Sequence, residues 1–319
     1  MHHPAPDDAL LRLAATLRDG GYRFATPTPA THALVNRRPG NAWARSVEDV
    51  FGWSRPFRDG LLPPALVGLM REAEVLAPAG GGEGWRSLVR LSSLARRGGE
   101  LLFLHSAFPT DAADAVFFGP DTTRFAAALD SHLGADPAPV RRAVDIGCGA
   151  GPGAVLVALA HPGAEVLAVD INDAALRLTR INAALAGAAN VVPCRSDLLA
   201  GVDGSFDLVV SNPPYLVDPG ARAYRHGGGP LGAGLSLAIV EAAPPRLAPG
   251  GTLLLYTGAA VVNGTDPFRM AIADRLGSQG VSWTYREVDP DVFGEELAGG
   301  AYGAADRIAA VVLTAKNTE

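Results

Sequence analysis

Apolar residues recur along this chain with two periods, and the change from one to the other falls near residue 141. Residues 8–19 place Leu10, Leu13 and Leu17 on one helical face, with an acidic start and a Gly20-Gly21 stop. A Pro/Thr-rich turn follows, from Thr26 to Pro29. Residues 63–76 form a second predicted helix opened by Pro63-Pro64. After the loop 80–84, residues 85–97 carry Trp85, Leu88, Leu91 and Leu94 at helical spacing, closed by Gly98-Gly99. Residues 100–105 alternate as a strand. This stretch predicts a mainly helical accessory domain over residues 1–115, joined by a bridging segment, 116–140, to a second domain over 141–319.

From Arg141 the pattern becomes strand–helix alternation. Strands are predicted at 142–147, 165–170, 190–194, 206–211, 251–257, 282–288 and 307–314, and helices near 152–161, 173–187, 233–247 and 267–279. Such alternation specifies an α/β fold, a doubly wound seven-stranded sheet, mostly parallel, with helices on both faces. Ligands of such sheets bind beyond the carboxyl ends of the strands, where the distinctive residues of this chain fall.

The first of these strands runs into Asp145-Ile-Gly147-Cys-Gly149-Ala-Gly151-Pro-Gly153. Glycines at a strand-to-helix turn let a ligand approach the backbone. With an acid ahead of them and G-x-G-x-G spacing, they suit a zwitterionic amino-acid moiety better than a pyrophosphate. The second strand ends at Asp170-Ile171, where a carboxylate can accept from both ribose hydroxyls. The third leads to Ser196-Asp197-Leu198, where an acid can accept an adenine amino group or cap a helix.

The fourth strand runs into Asn212-Pro213-Pro214-Tyr215, the most specific signal in the chain. A planar amide or aromatic amine is a poor nucleophile because its nitrogen lone pair is delocalised. The Asn212 side-chain carbonyl and the Pro213 main-chain carbonyl can accept its two N–H groups, and Tyr215 can stack on the flat group that carries it. Prolines stiffen the loop and bring no competing N–H.

In order and spacing these residues resemble the class I methyltransferases of the amino-group type, and within them the release-factor-type glutamine N5-methyltransferases. Phe118-Gly119-Pro120-Asp121-Thr122 looks like the segment that precedes the fold in that family and lines its cofactor pocket. Arg225 to Gly229 with Leu231-Gly232 is similar to its glycine-rich loop, and Ala305 to Ile308 to its closing Asp-Arg strand. The resemblance covers about residues 116–315. It implies S-adenosylmethionine as cofactor with no metal, held by Asp145, Gly147, Gly149, Gly151, Asp170, Ile171, Asp197, Leu198 and Asn212, with Asn212, Pro213 and Tyr215 catalytic. The reaction implied is in-line displacement at a sulfonium methyl, driven by positioning and electrostatics. Departures are Gly119 where the family has Arg, Thr123 where it has Glu, and Asp218 as the nearest acid after the tetrapeptide.

Composition bears on the acceptor. The net charge is −6, with 14 Arg against 15 acids in residues 1–140, and 12 Arg and one Lys against 18 acids in the rest. Neither half has the basic excess of a non-specific nucleic-acid binder. The densest basic group, Arg86, Arg90, Arg96 and Arg97, reads as a solvated helix face. A protein glutamine, in a translation factor, is therefore the leading acceptor. An exocyclic amino group of RNA or DNA and a small molecule remain alternatives. A binder without turnover would have no use for Asn-Pro-Pro-Tyr.

The remaining features read as structural. Cys148 and Cys194 form neither a disulfide framework nor a metal site. Trp43, Trp53, Trp85 and Trp283 read as packing residues, and His105, His161 and His226 lack metal-ligand spacing. Tyr224 and Arg225 share a loop with His226 and could touch substrate; Asp291, Glu295 and Glu296 read as exposed. The start of the chain lacks the apolar core of a signal peptide, and no apolar run approaches ~20 residues, so a cytoplasmic location is expected.

Overall fold

The computed structural model describes residues 4–136, 138–277 and 280–318. Its N-terminal part contains α1 (Pro4–Asp19), α2 (Pro29–Asn36), α3 (Val47–Phe51) and α4 (Pro64–Glu72). Four strands follow as two antiparallel pairs, β1 (Leu76–Pro78) with β2 (Trp85–Ser87), and β3 (Val89–Arg96) with β4 (Gly99–Ser106).

Here the sequence reading fails at one element. Residues 85–97 are not a helix but contain all of β2 and β3. Val89 to Ser92 alternate apolar and polar, but the alternation breaks at Ser92-Ser93, and all four positions 89–92 are buried. The three-residue spacing of Leu88, Leu91 and Leu94 then imitated a helix. Gly98 sits at φ +79° in a tight turn between Arg96 and Gly99, which pair across the hairpin, so the Gly-Gly step reverses the chain rather than capping a helix. The arginines of this stretch do not form a solvated helix face either. Arg90 is buried, with Nε donating to the Gly52 carbonyl at 2.8 Å and its guanidinium over the Phe24 ring.

The bridging segment contains α5 (Pro120–Ala135). Beyond it come β5 (Arg142–Ile146), α6 (Pro152–Ala160), β6 (Glu165–Asp170), α7 (Asp173–Ala186), β7 (Val191–Arg195), β8 (Phe206–Ser211), α8 (Gly234–Ala242), β9 (Leu247–Val261), α9 (Pro267–Leu276), β10 (Val281–Asp289) and β11 (Arg307–Asn317). Every strand and helix expected after residue 141 is present, with shifted ends. The last two residues expected in the final helix, 278–279, lie outside the described residues.

These seven strands form one sheet in the order β10-β11-β9-β8-β5-β6-β7. Pairing is parallel from β9 through β8, β5 and β6 to β7; β11 runs antiparallel to both neighbours. This is the Rossmann-like methyltransferase arrangement, and its strand order reverses at β5 and β8, where a crevice opens.

Two apolar cores cover the sheet, and β11 shows how one strand serves both. Ile308, Ala310 and Val312 enter the first core, and Ala309, Val311, Leu313 and Ala315 enter the second. The second core is completed by α8 and α9 through Ile239, Val240, Phe268 and Ile272. The first runs unbroken from Leu10 and Leu13 of α1, through Leu91 and Phe103 of the β3–β4 hairpin, to Phe125 of α5 and Val155 of α6. Polar ties reinforce it. Buried Asn182 accepts from the Leu104 N–H and donates to the Leu104 and Ala150 carbonyls, at 2.8–2.9 Å. Arg177 pairs with Asp7 at 2.5 Å. These contacts pack the N-terminal part against α7 beside the glycine loop. Among the described residues, no helix is long and apolar enough to cross a membrane.

Candidate active site

A cavity of about 370 Å³ opens at the carboxyl ends of β5, β6 and β8. It brings Asp145, Gly147, Gly149, Asp170, Ile171, Asp197, Leu198, Asn212, Pro213 and Tyr215 together in one wall system. Of the expected site residues Gly151 alone is absent from its lining. It lies at φ +84° where the loop enters α6, and a Cβ there would press on the Thr179 side chain.

The glycine loop forms an open cradle. Gly147 and Gly149 lie at φ +68° and +55°, and a Cβ on either would meet no protein atom within 4 Å. Asp145 lies beneath this loop: its carboxylate is buried and accepts from the Ala154 N–H at 2.9 Å. Burial lifts its pKa to about 7; the Ala154 hydrogen bond opposes the shift, and the neighbouring Asp170 adds to it. Asp170 accepts from Gly149 N at 3.0 Å and Asn172 N at 2.9 Å, which fixes the carboxylate at the end of β6. Burial raises this group's pKa too. Ile171, next to it, is 53% exposed and projects an apolar surface at the cavity wall. Asp197 is exposed at the rim, and Leu198 beside it holds φ +48°. An open backbone cradle, a fixed diol-accepting carboxylate and an apolar flank fit a nucleoside carrying an amino-acid tail.

Asn212 to Tyr215 leave the end of β8 and turn across the sheet. Ser211 anchors this exit by donating to the Ile146 carbonyl at 2.7 Å. Asn212 is half-buried and Pro213 buried in the wall. The Tyr215 ring lies on Gly258 of β9, with Tyr256 and Phe293 edge-on at 6.5 and 5.9 Å. The tetrapeptide is buttressed from behind by the glycine-rich loop, where Gly227 N donates to the Leu216 carbonyl at 2.8 Å and a side chain at Gly232 would run into the Tyr215 carbonyl.

Ionic and aromatic contacts shape the far side. Asp218 is buried and accepts from Arg222 Nη2 at 2.6 Å, with Arg225 Nε at 3.5 Å. The Arg222 hydrogen bonds hold its carboxyl down at about 2. Arg225 also binds Glu296, so Glu296 is half-buried rather than exposed as expected; Asp291 and Glu295 are exposed. Tyr224 donates to the Thr110 carbonyl at 2.8 Å and stacks on Phe117 at 5.7 Å. His226 accepts from the Asp218 N–H at 3.2 Å and ties the loop together.

The segment expected to line the pocket does so through Asp121 and Thr122, but sequence reasoning gave Asp121 no role of its own and missed Phe293, Phe117 and Thr110. Asp121, at the start of α5, is buried in the cavity wall and accepts from Tyr256 Oη at 2.9 Å. Phe293 adopts φ +55° and lines the cavity. Phe117 and Thr110 of the segment after β4 close the rim. Nothing local signalled that Asp121 would meet Tyr256, 135 residues away.

A family model described as methyltransferase small domain matches residues 115–276, about half of the chain. The chain belongs to that family. A release factor glutamine methyltransferase of Moorella thermoacetica is 33% identical over 229 residues, covering 66% of this chain and 77% of that protein. One of Deinococcus radiodurans is 37% identical over 169 residues, covering 49% and 55%. A 4-amino-L-phenylalanine/4-methylamino-L-phenylalanine methyltransferase of Streptomyces pristinaespiralis is 37% identical over 125 residues, covering 34% and 42%. The chain thus spans about half the length of several curated relatives that it matches.

Proposed function

We propose that this protein transfers a methyl group from S-adenosylmethionine to the side-chain amide nitrogen of a glutamine in a protein of the translation apparatus, met in the cytoplasm. The observation that carries the reading is the placement of Asn212 to Tyr215 beside the glycine cradle, in one cavity at the switch point of the sheet. The names of the Moorella and Deinococcus relatives support glutamine as the acceptor.

The cofactor, bound along Gly147–Gly149, Asp170, Ile171, Asp197 and Leu198, supplies an electrophilic methyl on a sulfonium. The chain's own work is positioning. Asn212 and the Pro213 carbonyl take the two N–H groups of the acceptor amide and aim its nitrogen at the cradle. Tyr215 and Phe293 wall the planar group, and the Phe117–Tyr224 stack closes its entrance. Residues 1–115 serve as an accessory domain that covers the acceptor end, with 116–140 as the bridge and 141–319 as the methyl-transfer domain.

An arylamine acceptor is the second reading, favoured by the aromatic lining and the Streptomyces relative. A nucleic-acid amino group is disfavoured by the net charge of −6. Transfer of labelled methyl to protein, RNA, DNA and small-molecule fractions of source cells lacking this gene separates these readings, with Asn212→Ala as control. Label in one protein band is expected; label confined to nucleic acid or to small molecules refutes the proposal.

A further inference from the structure

Residues 107–115 leave the end of β4 and return beside it, and the two ends of this loop are fastened together. Ser106 N donates to the Val116 carbonyl at 3.0 Å, and Val116 N donates to the Ser106 hydroxyl at 2.8 Å. Phe108 is held at this base, with its N–H on the Ser54 hydroxyl at 3.0 Å and its ring against His32 at 4.1 Å. A loop with its ends joined can move as a unit while its base stays in the fold.

Beyond the base the loop roofs the cavity. Pro109, Thr110, Asp111 and Ala115 line it from above, while Pro109 and Asp111 to Asp114 are exposed to solvent. No side chain from 109 to 114 is buried, so apolar burial contributes little to holding this stretch down. Among the described residues, its hydrogen bonds to the rest of the chain come from two side chains. Asn172 Nδ2 donates to the Asp114 carbonyl at 2.9 Å. Asn172 N also donates to Asp170 Oδ1 at 2.9 Å, so this tie stands next to the proposed ribose acceptor. On the side of the catalytic loop, Tyr224 Oη donates to the Thr110 carbonyl at 2.8 Å and lies 3.1 Å from Thr110 Oγ1. Arg222 Nη1 stands 4.0 Å from a largely exposed Asp111, a pair that water screens. A segment held by a few exposed hydrogen bonds opens locally long before the fold does.

We propose that residues 109–114 are a strap that opens to admit the cofactor and closes over it, with Asn172 and Tyr224 as its two latches. Closed, it keeps solvent from the cavity; open, it lets S-adenosylmethionine enter and S-adenosylhomocysteine leave. The inference rests on S-adenosylmethionine as the cofactor and is independent of the acceptor. A gate slows passage in both directions, because the free protein binds only in its open fraction and the complex releases only on opening. Loss of a latch therefore raises entry and exit rates together, whereas loss of a simple contact raises the exit rate alone.

The test measures association and dissociation rates of S-adenosylhomocysteine on the whole chain by surface plasmon resonance. Tyr224→Phe keeps the ring that stacks on Phe117 and removes the hydroxyl. Asn172→Ser removes the amide donor but keeps an oxygen to cap α7, which Asn172 does now by accepting from Ala174 N at 2.9 Å. Each variant is expected to raise both rates about fivefold, the scale of one net hydrogen bond, and the double variant about 25-fold. Kd then changes less than either rate. Should Asn172→Ser prove unstable in a thermal melt, Tyr224→Phe, which leaves α7 intact, decides alone. Rates that stay at wild-type values, or dissociation that quickens while association does not, would make the segment a fixed wall and overturn the strap. A wild type that does not bind S-adenosylhomocysteine would refute the cofactor reading and the strap with it; wild-type binding with unaltered variants refutes the strap alone.

Discussion

Gly258→Ala tests whether the position of Tyr215, rather than its mere presence, sets the rate. Gly258 lies in β9 opposite Ala310 of β11, so its backbone is held by the sheet. An ideal Cβ at this position stands 2.2 Å from Tyr215 Cδ2 and 2.3 Å from Cε2. Carbon atoms rest at about 3.5 Å or more, so the ring must retreat by about 1.3 Å. Tyr256 and Phe293 stand edge-on to that ring, and Tyr215 is only 6% exposed, so retreat drags the Asn212–Tyr215 loop with it. Overpacking of this kind costs about 1–3 kcal/mol of stability. A displacement near 1 Å at the reacting group costs about 100-fold in rate, or about 2.7 kcal/mol. The cofactor cradle lies at β5 and β6 and is untouched. We therefore expect kcat to fall about 100-fold in single-turnover transfer of labelled methyl, with cofactor affinity preserved and a melting temperature lower by several degrees. Wild-type kcat in a folded Gly258→Ala protein would refute the positioning argument. Equal loss of cofactor affinity would refute the separation of the two halves of the cavity.

Three further outcomes are expected. Asp170→Ala is expected to weaken cofactor binding before anything else, because the fixed carboxylate at the end of β6 is the proposed ribose acceptor; calorimetric titration that finds unchanged affinity contradicts that role. Asn182→Leu removes three hydrogen bonds between α7, the β3–β4 hairpin and the glycine loop. It is expected to cost about 3 kcal/mol by leaving the Leu104 amide unpaired; a urea midpoint within error of the wild type would contradict this. Asp145, with its carboxyl near 7, links cofactor binding to pH. Its folded pKa lies above the unfolded value, so the native state holds a proton that the unfolded chain gives up. The associated stability of the cofactor-free protein is complete below the unfolded pKa and is lost as pH rises through about 7. A cationic cofactor favours the carboxylate instead, so affinity rises with pH through the same window. Titrations at about pH 6 and about pH 8 that agree, or an Asp145→Asn variant with the same slope, would overturn this linkage.

The part of the active site legible in the sequence is the part made by short, contiguous segments. The glycine loop, Asp170, Asp197 and Asn212–Tyr215 each follow a strand within a few residues. A doubly wound sheet sends all strand ends of one sense to the same edge, so reading the strands was enough to bring these residues together. The alternation after residue 141 was legible for a related reason: buried parallel strands are short apolar runs separated by amphipathic helices. The β3–β4 hairpin was half legible. The alternation of β3 lasts only from Val89 to Ser92, and Leu88, Leu91 and Leu94, three apart, overlay it with a helical period.

Local propensity and chain order thus determined the Rossmann-like sheet, the cofactor cradle and the planar-nitrogen motif. Tertiary structure alone decided everything that depends on contacts across long separations. It set Tyr256 against Asp121 and Glu296 against Arg225, and it left Tyr215 Oη enclosed without a partner. It also carried α1 and the hairpin into one core with α7, through Asn182 and the Asp7–Arg177 pair. Side-chain periodicity reports which face of an element is buried, but never what buries it. That follows from packing, whose partners here lie up to 170 residues apart.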